Sequence, residues 1–253
     1  MAIILTDATA NANTLTNNGA TEVSTSLPFV DSITAIDLAA ASSQYLTAAD
    51  SVSLSQTGDM TLECWVKFTS TPTSGNLMYI LSKVKVTGDQ RSYHFLLIND
   101  AGVLKLQAQI LQDGTTTTRD TFRWNWTPTT GTWYHLALTI TPAYASATTF
   151  EVYVDAVSQG NGTMIHNGNV SAIHDGTARF VIGQTDDLTA GEYFDGKIDE
   201  VRVWSTIRTG TQISDNKGVE LLGTESGLQA YWPFETLAAT GAVAILGSSA
   251  FFM

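Results

Sequence analysis

Apolar residues fall at every second position in one stretch of this chain after another, and that period commits it to half-buried β-strands. In Met60–Phe68 the set Met60, Leu62, Cys64, Val66 and Phe68 shares one face, with Thr61, Glu63, Trp65 and Lys67 on the other. Leu104, Leu106, Ala108 and Ile110 alternate with Lys105, Gln107 and Gln109, and Tyr134, Leu136, Leu138 and Ile140 repeat the pattern, as do Phe150, Val152 and Val154. Further strands are read at 79–83, 93–98, 178–183, 197–204 and 229–234. Turn signals such as Thr57-Gly58-Asp59, Asn99-Asp100-Ala101-Gly102, Asn167-Gly168-Asn169 and Phe194-Asp195-Gly196 separate them. One short helix is expected where Thr209-Gly210-Thr211-Gln212 has the T-x-x-Q form of a capping box. Many strands at short spacing with almost no helix predict an all-β sandwich or barrel.

No Pro-rich or Gly/Ser linker and no charge block divides the 253 residues. A single domain over 1–253 is therefore expected, with 1–35 as irregular N-terminal edge strands and 237–253 as a C-terminal extension. That extension ends in apolar Ala250-Phe251-Phe252-Met253, which is expected to dock on the domain or on a neighbouring subunit. Twelve Lys and Arg against 24 Asp and Glu leave a net charge of −12, and no basic cluster exists. Nucleic acid and anionic membrane surfaces are poor partners for such a chain. No run approaches the ~20 apolar residues of a membrane-spanning helix. The start, Met1-Ala2-Ile3-Ile4-Leu5-Thr6-Asp7, lacks a basic region and a long apolar core, so no cleavable signal peptide is read. One cysteine, Cys64, excludes an internal disulfide framework and reads as a buried inert thiol.

Four segments in order resemble the laminin-G-like branch of the concanavalin A-like lectin/glucanase superfamily. Ser43-Gln44-Tyr45-Leu46 through Met60-Thr61-Leu62-Glu63-Cys64-Trp65-Val66-Lys67 is similar to its opening strands, and Gly131-Thr132-Trp133-Tyr134-His135-Leu136-Ala137 to its G-x-W-[HY]-H-[VL]-A strand. Val152-Tyr153-Val154-Asp155 precedes a long hairpin ending at Ile182-Gly183. The most specific segment is Phe194-Asp195-Gly196-Lys197-Ile198-Asp199-Glu200-Val201-Arg202-Val203-Trp204. Two more resemble the family: Gly227 to Phe234, and Asp7-Ala8-Thr9-Ala10-Asn11-Ala12-Asn13 with Leu15 to Ala20, where Ala replaces two family glycines. The resemblance implies a two-sheet antiparallel β-sandwich of jelly-roll type with one short C-terminal helix.

It also implies one structural calcium ion, held by the Asp199 carboxylate with oxygens from Asp7, Asn11 and Asn13. Lectin sites in such sandwiches use aromatic platforms with polar donors, and the densest cluster of that kind is Arg119-Asp120-Thr121-Phe122-Arg123-Trp124-Asn125-Trp126. Arg119, Trp124 and Trp126 are the candidate ligand-binding residues, set against inter-sheet packing of the same rings. No catalytic residue is assigned. The superfamily's glycosidases carry E-x-D-x-(x)-E on one strand, and no such run exists here; Asp199 and Glu200, being adjacent, are expected to face opposite ways. The resulting expectation is a non-catalytic module serving surface structure or adhesion, foremost a phage virion component (decoration, fibre or tail-associated). Its partners would be other particle or surface proteins, a homo-oligomer, or polysaccharide, and its location a virion or extracellular surface. The alternatives are a carbohydrate-binding lectin module and, last, a glycoside hydrolase.

Overall fold

The computed structural model describes residues 5–25, 27–30, 32–143 and 149–235, so the expected C-terminal extension lies outside the described residues. In chain order the strands are β1 (Leu15–Asn18), β2 (Thr21–Val23), β3 (Ala35–Leu38), β4 (Tyr45–Ala48), β5 (Met60–Phe68), β6 (Leu77–Lys83), β7 (Tyr93–Asp100) and β8 (Val103–Leu111). They continue as β9 (Arg119–Asn125), β10 (Trp133–Thr141), β11 (Thr149–Val154), β12 (Val157–Asn161), β13 (Thr163–Asn167), β14 (Phe180–Ile182), β15 (Gly196–Trp204) and, after helix α1 (Gly210–Asn216), β16 (Leu228–Trp232). One sheet runs β1-β4-β14-β6-β7-β8-β9-β13 and the other β12-β11-β10-β5-β15-β3-β2. β16 pairs the second half of β15, whose first half pairs β3. The all-β, two-sheet antiparallel sandwich with one short helix is the fold the alternation and the resemblance predict.

The inward faces supply the core. Met60, Leu62, Cys64, Val66 and Phe68 of β5 are all fully buried, as are Leu136, Leu138 and Ile140 beside them on β10. Each side chain of that size contributes about 1.5–3 kcal/mol when removed from water. Burial pushes the Cys64 thiol far up, so it stays protonated. Phe180 stacks on Trp232 at 5.4 Å, joining the two sheets through aromatic contact.

The second sheet is covered on its outer face as well. Helix α1 opens with the expected capping box: the Thr209 hydroxyl accepts the Gln212 amide (3.2 Å) and Gln212 accepts the Thr209 amide (2.9 Å). Its Ile213 packs on Ala137 and Tyr153, and the Lys217 carbonyl just beyond it accepts the Trp65 indole N–H. Thr61 and Glu63, on the outward side of β5, are therefore as buried as the inward residues.

β15 departs from regular pairing in the middle. Glu200 takes φ +52°, and the register against β5 gains one residue between Asp199, opposite Trp65, and Arg202, opposite Glu63. The bulge corrects the expectation that Asp199 and Glu200 face opposite ways. Both carboxyls lie on the outer face, while Ile198, Val201 and Val203 still enter the core.

Candidate functional site

An open cleft of about 320 Å³ lies at one rim of the sandwich, within the size range of small-ligand sites. Three segments far apart in sequence build it: the turn at Ala40, the 70–78 connection between β5 and β6, and the loop 191–195 that leads into β15. Asp195 pins them together, its Oδ2 accepting the Ser70 hydroxyl (2.6 Å) and its Oδ1 the Ala40 amide (3.3 Å). The 70–78 connection is fixed from behind, where Asn99 donates to the Pro72 carbonyl and Asn76 to the Thr73 hydroxyl. Gly196, at φ +151°, lets the loop approach β5 closely; a Cβ there would lie 2.1 Å from the Lys67 carbonyl oxygen.

Half-exposed Tyr193 supplies an aromatic wall, its ring 6.2 Å from that of Tyr45. Exposed Ser70, Thr73 and Asn76 supply hydroxyl and carboxamide groups, and Asp195 is the one charged residue in the lining. An aromatic face beside short polar side chains suits a neutral, hydroxyl-rich molecule. None of these residues was singled out as a site in the sequence. Only the Phe194-Asp195-Gly196 turn marked the place.

The charged groups on the covered face of the second sheet form a separate, sealed network. Arg202, fully buried, donates to Glu200 (2.5 Å) and to the Asn216 and Val219 carbonyls (2.9 and 2.7 Å). The Tyr231 hydroxyl donates to Glu200 at 2.9 Å, and Glu63 faces His135 at 3.4 Å. Burial raises the Glu200 carboxyl to about 7 although Arg202 and Tyr231 pull it down. Asp199 is raised well above the usual range by burial and then by the charge of Glu200. These carboxyls have 0–1% exposure.

The residues singled out in the sequence are not brought together. Trp124 points into the core at 5% exposure, its indole N–H donating to the Gly160 carbonyl (2.9 Å). Trp126 is half-buried beyond the end of β9, edge-on to Phe68 and Tyr134. Arg119 starts β9, faces outward, and donates to the Thr116 carbonyl.

Nor do the expected calcium ligands fit an ion. Asp7 accepts five hydrogen bonds: Oδ1 from the Thr9 and Tyr231 amides, and Oδ2 from the Thr9 hydroxyl and the Asn13 amide and carboxamide. Asn13 Oδ1 takes the hydroxyls of Ser51 and Ser53, and Asn11 Nδ2 donates to the Gln229 carbonyl. Asp199 accepts the Ser32 hydroxyl and the Glu200 amide, on a different part of the sheet. A carboxylate has about four lone-pair positions, so Asp7 is saturated by protein donors. Its role is to tie the N-terminal segment to β16.

Over residues 40–214 the sequence matches the Laminin_G_3 family, described as the concanavalin A-like lectin/glucanases superfamily. The chain belongs to this superfamily. A search of curated proteins by sequence finds no match. Among solved structures, domain 4 of AbnA, an extracellular arabinanase from Geobacillus stearothermophilus in complex with arabinotriose, is 17% identical with a TM-score of 0.54; the match covers 83% of this chain and 96% of that one. A putative carbohydrate binding protein from Bacteroides ovatus is 19% identical (TM-score 0.50), with 73% of this chain and 48% of that one covered. Tailspike protein 2 of an Escherichia coli O157:H7 bacteriophage is 15% identical (TM-score 0.59), and the match spans 93% of this chain but 30% of the tailspike. At these identities the likeness to each structure is one of superfamily fold.

Proposed function

We propose that this chain is a non-catalytic saccharide-binding module that serves attachment at a virion or extracellular surface. The observation that carries the reading is the rim cleft, where Tyr193 stands beside Asp195, Asn76 and the hydroxyls of Ser70 and Thr73. No Lys or Arg lines it, which favours a neutral glycan over an anionic one. The adjacent carboxyls Asp199 and Glu200 are sealed beneath covering segments, so they supply no retaining or inverting pair to a bound glycan. Support by analogy comes from the arabinanase domain, solved in complex with arabinotriose.

A second reading is a structural or adhesive part of a phage particle, where partners would be other particle proteins or further copies of this chain. The tailspike likeness over 93% of the chain favours it. Both readings meet if the particle grips polysaccharide through the cleft. A glycan array followed by calorimetry on wild type and Tyr193→Ala tests the proposal. Binding of a defined neutral glycan, weakened about tenfold or more by the substitution, supports it. Binding unchanged in Tyr193→Ala, or a blank array, refutes the cleft as a saccharide site.

A further inference from the structure

Lys83 ends β6 with its side chain fully buried, whereas the start of the same strand, Leu77 and Met78, lines the rim cleft. A lysine removed from water is stable as an ammonium only when its charge is paired and its three N–H donors are filled. Three acceptors from two other segments do this. Asp50 Oδ1, just past β4, accepts at 2.7 Å, the Ala178 carbonyl accepts at 2.8 Å, and the Gly176 carbonyl completes the set.

Each acceptor is also held by groups other than Lys83. The Asp50 carboxylate takes the Ser55 hydroxyl (3.2 Å), in a turn closed by the Leu54 amide donating to the Ser51 carbonyl. That turn is anchored in the core where the buried Tyr93 hydroxyl donates to the Leu54 carbonyl (2.8 Å). Between the two carbonyls, Thr177 donates its amide (2.8 Å) and its hydroxyl (3.2 Å) to Gln90 Oε1. Gly176 is packed so closely that a Cβ would lie 2.9 Å from His174 Cδ2 and 3.1 Å from the Gln90 carbonyl oxygen. These bonds remain when the lysine side chain is taken away.

We propose that Asp50, Gly176 and Ala178 form a cation site specific for a primary ammonium, with Lys83 as its built-in occupant. Three oxygens match the three N–H donors of an ammonium, and one carboxylate balances a single positive charge. Calcium takes about six to eight oxygens, more than this cradle offers. The site ties the end of β6 to the segments that follow β4 and precede β14, so this end of the sandwich is closed by the chain's own cation. It shares no residue with the Asp7, Asn11, Asn13 and Asp199 set, and no motif in the sequence marks it.

The test is Lys83→Ala, which removes the propylammonium portion beyond Cβ, followed by thermal unfolding of the full chain with added cations at matched ionic strength. The midpoint should fall by about 10 °C, because a carboxylate and two carbonyls lose their donor. n-Propylammonium should restore several degrees in the variant and leave wild type unchanged. Tetramethylammonium, which has no N–H, and calcium should restore nothing. No effect of n-propylammonium, equal effects of the two organic cations, or restoration by calcium overturns the proposal. If the variant does not fold, ¹⁵N NMR of the Lys83 ammonium in wild type decides. Its N–H signal should be slowed in exchange with water and unmoved by calcium or chelator; exchange as fast as that of a solvated lysine, or a shift on adding calcium, overturns the proposal.

Discussion

Glu200→Gln separates two forces that act on one buried carboxyl. Burial favours the protonated form, whereas Arg202 at 2.5 Å and the Tyr231 hydroxyl favour the ionised one. The folded-state value of about 7 lies above the ordinary glutamate value of 4.5, so burial wins. A folded value raised in this way stabilises the protein fully below the unfolded-state pKa, and that contribution is lost as pH rises through the folded one. A rise of roughly 2.5 pKa units corresponds to about 3 kcal/mol. Wild type should therefore lose about 3 kcal/mol through Glu200 between about pH 4 and about pH 8. Glutamine keeps the shape and cannot ionise, so the variant should lack that part of the slope; Asp199 contributes in both proteins, also raised by burial. Urea unfolding at several pH values, at constant ionic strength, measures the difference, and the m-value should not change. Equal slopes in the two proteins, or a wild type that gains on the variant as pH rises, would refute the reasoning: pairing with Arg202 would then govern Glu200.

Gly196→Ala should cost about 2–4 kcal/mol, since a Cβ there meets the Lys67 backbone at 2.1 Å in a conformation glycine favours; chemical denaturation checks it, and a loss under about 1 kcal/mol would show the loop relaxes. Arg202→Met should destabilise by about 3–5 kcal/mol by leaving Glu200 and two carbonyls without their donor, and adding Glu200→Gln should restore part of that loss in a double-mutant cycle. Millimolar calcium against chelator should move the thermal midpoint by less than about 1 °C, because Asp7 is saturated with hydrogen bonds; a rise of several degrees would mean that an ion displaces those donors.

The strands were legible because alternation is local. Five alternating residues of β5 reach the core, as do Leu136, Leu138 and Ile140 of β10, with Tyr134 half-buried against it. The helix was legible for a similar reason, since Thr209 and Gln212 carry the cap within four residues. The outer face of β5 was not, because Thr61, Glu63 and Trp65 read as a solvent face until segments around α1 cover them. The orientation of Glu200 was hidden in one backbone angle, which no alternation pattern records. The rim cleft draws on Ala40, the 70–78 connection and Tyr193, so no window of sequence contains it. Trp124, by contrast, looked like a platform because aromatic clusters in a strand have the same pattern whether they face solvent or core.

Asp7 accepts the backbone amide of Tyr231 across 224 positions of sequence, and β5 finds one of its two neighbours in β15. These closures set an order of events. During synthesis the strands from β5 to β13 can pair with near neighbours, while β5 keeps an open edge until β15 has emerged. The N-terminal segment waits longest, since its anchor on β16 is among the last of the described residues to be made. Long-range pairings of this kind place an all-β chain in the slow, millisecond-to-second range of folding.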